Sequence, residues 1–137
     1  MKTKSSTIDW KALKKAASLA QRKAHAPYSS YPVGAALLAV DGTVFIGTNV
    51  ENASYPLSLC AERSAISAAV AAGKKKFLAI AIVSNGPKAA PPCGGCRQVL
   101  AEFGPSFPVK SFATTGDELT SSVKELLPAA FGADFFK

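Results

Sequence analysis

A chain of 137 residues with 48% apolar side chains can bury one adequate core and hardly two, so a single domain over 1–137 is expected. Its net charge of +7 concentrates at Lys2 to Lys23 and Lys74 to Lys76 without the interleaved aromatics of a single-strand binding platform. It therefore reads as a solvated basic face, with no nucleic-acid partner. Apolar runs such as Val33 to Val40 are too short to span a bilayer, and the Lys-rich start lacks an apolar signal core, so a soluble, cytoplasmic protein with no membrane partner is expected.

Trp10, Leu13, Ala17, Ala20 and Ala24 recur at steps of three and four, which predicts an amphipathic helix capped by Asp9 and ending before Pro27. Val33 to Val40 and Thr43 to Asn49 form a predicted hairpin about Asp41-Gly42, a pair suited to turns in which both residues take positive φ. Ser58 is the expected cap of a helix from about Leu59 to Ala72, stopped by Gly73, with Cys60 and Glu62 in its first turn. Phe77 to Ser84 suits a buried strand, and a Pro-rich loop through Pro91 and Pro92 follows. A helix from about Gly94 to Phe103, closed by Gly104-Pro105, carries Cys93 and Cys96 at its N-terminal end. A strand near Val109 to Ala113 and a short helix near Val123 to Leu127 complete an α/β pattern: a single mixed β-sheet with helices packed on both faces.

Cys60-Ala61-Glu62 and Pro92-Cys93-Gly94-Gly95-Cys96 together use every cysteine. Three cysteines cannot all pair within one chain, and a reducing compartment leaves thiols free for metal or catalysis. Three thiolates fill three corners of a zinc tetrahedron and leave the fourth for water, as in catalytic sites. Helix N-termini favour the thiolate form, and zinc lowers the pKa of bound water towards ~7. Glu62, two residues from a ligand, is then a candidate general acid and base. Arg63, three residues after Cys60, can offset the excess negative charge by hydrogen bonding to sulfur. A Cys-x-x-Cys pair alone also fits a redox pair or half of a structural zinc site; Cys60-Ala61-Glu62 upstream and Pro92 before the pair favour a catalytic centre. Asn49 and Glu51, two apart at a strand end, can present a donor and an acceptor to a sugar hydroxyl, the alternative being a polar strand end with Asn52 in an Asx turn.

From about His25 to Phe131 the sequence resembles the small, homotetrameric cytidine deaminases. The shared stretches include Ala26-Pro27-Tyr28-Ser29, Val33-Gly34-Ala35-Ala36, Asn49-Val50-Glu51-Asn52-Ala53, Cys60-Ala61-Glu62-Arg63, Pro92-Cys93-Gly94-Gly95-Cys96-Arg97-Gln98 and Glu125-Leu126-Leu127-Pro128. The resemblance implies a three-layer fold and one Zn2+ per subunit on Cys60, Cys93 and Cys96. It implies attack of zinc-bound hydroxide on C4 of cytidine or deoxycytidine with Glu62 as proton shuttle, releasing ammonia in pyrimidine salvage. It also implies hydrogen bonds from Arg63 and Gln98 to ligand sulfurs, backbone contact from Ala61 to the base, and a ribose site at Asn49 and Glu51. Tyr31 stands where the family commonly has a Phe packed against the base. Phe131 matches an aromatic that reaches a neighbouring subunit's site, which implies a homotetramer with shared active sites. His25, the sole histidine, is not in ligand position. Rival readings are deamination of a modified cytidine or a blasticidin-type aminopyrimidine nucleoside, and a non-enzymatic zinc-stabilised module, for which no fourth Cys or matching His is available.

Overall fold

The structure, a computed structural model, describes residues 7–104 and 106–137. The start of the basic run at Lys2 and the Pro105 half of the expected helix stop lie outside those residues. Five strands, β1 (Val33–Ala39), β2 (Val44–Thr48), β3 (Phe77–Ser84), β4 (Pro108–Ala113) and β5 (Glu118–Ser122), form one sheet in the order β2-β1-β3-β4-β5. β1 is antiparallel to both β2 and β3, β3 and β4 are parallel, and β4 and β5 are antiparallel.

Alternation along β1 and β3 divides the core into two layers, because successive side chains leave opposite faces of a strand. Ala36, Ala79, Ala81 and Val83 meet Leu13 and Ala17 of α1 (Trp10–Gln21) on one face. Asp9 caps α1, its Oδ1 accepting the Ala12 N–H at 3.0 Å. Ala35, Leu37, Ile80 and Ile82 pack on the other face against α2 (Ala61–Ala71), α3 (Gly94–Glu102) and Val123 of α4 (Val123–Leu126). The expected helices on both faces of a mixed sheet are therefore present. β2 and β3 both run antiparallel to β1, so they are parallel to each other. The crossovers β2-α2-β3 and β3-α3-β4 consequently start α2 and α3 at the same sheet edge, the carboxyl ends of the parallel strands, where α/β folds form their sites.

Three local expectations are corrected. In the hairpin turn only Gly42 has positive φ, +94°, while its N–H donates to the Ala39 carbonyl at 3.0 Å. The last paired residues are Leu38 and Val44, so the connection is longer than a two-residue loop and resolves into a turn closed by a left-handed glycine. Ser58 does not cap α2: Cys60 is the N-cap, and Ser58 Oγ accepts the Asn52 N–H instead. Leu59 is held extended because its N–H and carbonyl both bond Val50, each at 2.9 Å, and the helix begins only after it. β5 was not expected from the sequence. It is a polar strand, Glu-Leu-Thr-Ser-Ser, with little burial, and only its pairing with β4 makes it a strand.

Candidate active site and metal centre

Gly47 of β2 sets how closely α2 approaches the sheet: a Cβ there would lie 2.3 Å from the Ala61 carbonyl oxygen and 2.4 Å from the Ala65 nitrogen. The bare backbone of β2 thus lets the first turn of α2 sit directly on the sheet. Cys60 takes the N-cap position of α2 and Cys93 that of α3, both with extended backbone and without the side-chain cap bond that Ser or Asp would make. Cys96, 1% exposed, follows in the first turn of α3. Two helix N-termini with unpaired N–H groups therefore converge on sulfur.

The three Sγ atoms lie within 4.8 Å of one another, with Cys60–Cys93 at 3.9 Å and Cys93–Cys96 at 3.5 Å. A tetrahedral zinc with Zn–S bonds of ~2.3 Å requires S···S edges of ~3.8 Å, so the donor set fits one zinc and leaves one corner open. Arg63 Nη2 donates to Cys60 Sγ at 3.6 Å and to the Ser58 carbonyl at 3.4 Å. A hydrogen bond from Cys96, with help from Arg63, draws the Cys60 thiol down to about 5. Cys96 moves the opposite way, because its proton is held in the bond to Cys60 and its surroundings are buried. Glu62 is 6% exposed, and burial, reinforced by the nearby Cys60 charge, pushes its carboxyl up to about 7. That places its proton exchange near neutrality, as a group that both takes and gives a proton needs. Cys60, Ala61, Glu62 and Cys93 open into a cleft of about 230 Å³ walled by Tyr31, Val33, Asn49, Ile82, Ala90 and Pro91. A family model described as "Cytidine and deoxycytidylate deaminase zinc-binding region" matches residues 7–109, which include all three thiols and Glu62.

The chain belongs to the cytidine deaminase family.

Relatives agree along most of the chain. A cytidine deaminase of Sporosarcina psychrophila is 47% identical over 116 residues, 84% of this chain and 85% of that protein. One of Halalkalibacterium halodurans is 46% identical over 128 residues, 93% of this chain and 97% of that protein. A crystal structure of cytidine deaminase from Burkholderia pseudomallei superposes with a TM-score of 0.87 at 49% identity, covering 90% of this chain and all of that one.

Within this deaminase the sequence-derived residues divide into two sets. Tyr31, Asn49, Ala61 and Glu62 share the cleft with Cys60 and Cys93. Asn49 spends one acceptor on the Val33 N–H, at 2.9 Å, and one donor on the Tyr31 carbonyl, at 3.0 Å. One amide N–H and one lone pair remain for another partner. Glu51 is not brought into this cleft. Its carboxylate accepts the Tyr28 and Ser29 N–H groups, at 3.0 and 3.1 Å, and the Ser29 hydroxyl, and it lines a neighbouring hollow with Tyr28 and Tyr55. Val50, between Asn49 and Glu51, is bridged to His25 and Leu59, and it is the bonds to the 28–29 backbone that hold the Glu51 carboxylate in the neighbouring hollow. Gln98 is also placed elsewhere, its Nε2 donating to the Phe131 carbonyl at 2.9 Å rather than to sulfur. Two helical positions after Cys96 it stands about 200° around α3 from that ligand, facing away. Phe131 is 60% exposed and stacks on Phe135, with ring centroids 5.5 Å apart, outside its own chain's cleft. A cavity of about 610 Å³ lies under this C-terminal segment and is lined by none of the thiols.

Sequence reasoning missed Arg97 and the Ala90-Pro91 wall. Arg97 Nε donates to the Pro92 carbonyl at 2.7 Å and its Nη1 to the Leu126 carbonyl at 2.8 Å, tying the Cys93 turn to α4. The prolines before Cys93 were the available signal, since a run without N–H donors must be held by outside groups.

Proposed function

We propose that this protein hydrolyses cytidine and deoxycytidine with water to uridine and deoxyuridine plus ammonia, a pyrimidine-salvage reaction. The observation that carries the reading is the buried Glu62 carboxyl opening into the same cleft as two of three clustered thiols. Cys60, Cys93 and Cys96 hold zinc, which when bound supplies a Lewis acid that makes water acidic near neutrality. Glu62 accepts one proton of the attacking water and delivers it to ring N3, then takes the second from the C4 hydroxyl and passes it to the amine, which leaves as ammonia as the C4 carbonyl forms. The Ala61 backbone meets the base, and Arg63 offsets the thiolate charge through Cys60. Tyr31 adds a hydroxyl to the cleft wall, and the unspent donor and acceptor of Asn49 face the sugar. Glu51 serves the sugar end through the Tyr28 to Tyr31 loop that its carboxylate holds.

The working form is a homotetramer in which Phe131 enters a neighbour's cleft. Its exposure, and its absence from the lining of its own chain's cleft, support that reading. No helix among the described residues is long and apolar enough to cross a membrane. The free thiols suit a reducing cytoplasm.

The test is the fall in ultraviolet absorbance when zinc-loaded protein is mixed with cytidine or deoxycytidine. Glu62→Gln is expected to keep zinc and fold but lose roughly 10²- to 10⁴-fold in kcat. An active Glu62→Gln enzyme removes the shuttle. A wild type that keeps zinc but turns over neither nucleoside redirects the reading to a modified or antibiotic aminopyrimidine, with Tyr31 as the first suspect.

A further inference from the structure

Between Asn85 and Pro92 the chain forms neither helix nor strand, and Pro87, Pro91 and Pro92 offer no backbone N–H. Yet this segment supplies Ala90 and Pro91 to the cleft and leads directly into Cys93. Its position must come from outside. The turn between β4 and β5 provides the contacts. Asp117 Oδ2 accepts the Ala89 N–H at 2.8 Å, Thr115 Oγ1 donates to the Pro87 carbonyl at 3.1 Å, and the Thr114 N–H donates to the Ser84 carbonyl at 3.3 Å. The turn is itself closed by the Ala113 N–H on the Asp117 carbonyl, at 2.9 Å, and the Gly116 N–H on the Ala113 carbonyl, at 3.0 Å. Arg97 fixes the far end of the loop at Pro92, which leaves the cleft-lining pair suspended between Arg97 and Asp117. Of these bonds to the β4-β5 turn only that of Asp117 has a charged acceptor, and although the Asp117 carboxylate is exposed, its donor is the N–H of Ala89, which is 9% exposed. A hydrogen bond to an ionised acceptor is roughly twice as strong as a neutral one.

We propose that Asp117 is a positioning residue for the deaminase reaction: by holding Ala89 it sets the Ala90-Pro91 wall against the nucleoside and the approach of Cys93 to the metal. The proposal rests on the reading of the cleft as the nucleoside site. It gives β5, a polar edge strand with little core of its own, a purpose: by pairing with β4 it closes the turn whose Asp117 carboxylate organises the loop after β3.

The test compares Asp117→Ala, Asp117→Asn and Thr115→Val with wild type in kcat, KM for cytidine, the rate of zinc release to a chromogenic chelator, and the thermal midpoint. Asp117→Ala is expected to raise KM roughly tenfold with kcat changed less than about threefold, and to speed zinc release by about threefold or more. Asp117→Asn keeps an oxygen for the Ala89 N–H and is expected to return KM to within about threefold of wild type. Thr115→Val, which removes two neutral bonds, one to the Pro87 carbonyl and a long one from the Asp117 N–H, is expected to raise KM about twofold with little change in midpoint, and it carries the test if Asp117→Ala does not fold. Unchanged KM and zinc release, an Asn variant as impaired as Ala, or a lowered midpoint with kcat reduced and KM untouched would each overturn the proposal. If the wild type turns over no cytidine, the reading of the cleft fails, while the zinc-release rates still decide whether Asp117 places Cys93.

Discussion

Glu62 and Asp41 are both carboxylates, and their surroundings drive them in opposite directions. Glu62 sits in the first turn of α2 with almost no water around it, and its proton is retained to about 7. Asp41 lies at the surface in the hairpin turn. A hydrogen bond from Lys74, 2.8 Å away, helped by the Thr43 N–H, lowers it from 3.8 to about 2. A carboxylate depressed on folding contributes stability that is present above its unfolded pKa and disappears as pH falls through the folded value. For Asp41 that window runs from 3.8 down to about 2. Asp41→Asn is therefore expected to lower the thermal midpoint slightly at neutrality, the effect being small because the pair is open to solvent, and to flatten the acid limb of the midpoint against pH curve within this window, so that the two curves converge as pH falls towards about 2. Wild-type and variant curves that run parallel through the window would remove the pair as a contributor.

At the scale of elements, the catalytic geometry depends on where α2 and α3 start. Leu59 is tied into an isolated bridge with Val50, so the helix begins immediately after Cys60 and the sulfur occupies the cap position. Gly47 lets that turn rest on β2. Gly47→Ala is expected to push α2 off the sheet at a cost of about 1–3 kcal/mol, and to weaken zinc retention because Cys60 moves with the helix. Gly42→Ala makes the control. Nothing lies within 4 Å of the added Cβ, and only the +94° backbone angle resists it. Its expected cost is about 1–2 kcal/mol, with zinc retention unchanged. Chemical denaturation combined with chelator competition separates the two, and equal zinc loss in both variants would detach the centre from the packing of Gly47.

For the whole molecule, the proposed tetramer would complete the cleft of one chain with a neighbour's Phe131. Phe131, Phe135 and Phe136 are exposed at 60%, 65% and 69%, and Tyr55 and Leu57 at 69% each. That much aromatic and aliphatic surface is expected to be covered in an assembly. Phe131→Ala should lower kcat/KM at least about tenfold, as removal of a buried aromatic anchor does, while the monomer fold is kept. Hybrid tetramers assembled from Phe131→Ala and Glu62→Gln chains should regain activity, because one site can then combine an intact Glu62 with a neighbour's intact Phe131. Unchanged kinetics in the single variant, or no recovery in the hybrids, would show that the sites are not shared.

The sequence by itself determined the helices, the first four strands and which three thiols cluster as candidate zinc ligands. These follow from local periodicity and from residue chemistry: apolar spacing along α1, β-branched runs in β3, and a Cys-Ala-Glu followed by a Pro-Cys-x-x-Cys that leave no cysteine unused. Only the tertiary structure decided β5, whose polar residues become a strand by pairing with β4. Only the structure decided that α2 starts at Cys60 instead of near Ser58, because the competing bridge to Val50 is made by residues distant in the chain. It also separated Glu51 and Gln98 from the cleft and brought Asp117 to the loop before Cys93. Local pattern specifies which conformation a segment prefers and which chemistry its side chains offer. The direction in which a side chain points beyond a strand end, and the partner that satisfies it, depend on long-range contacts that no local window contains.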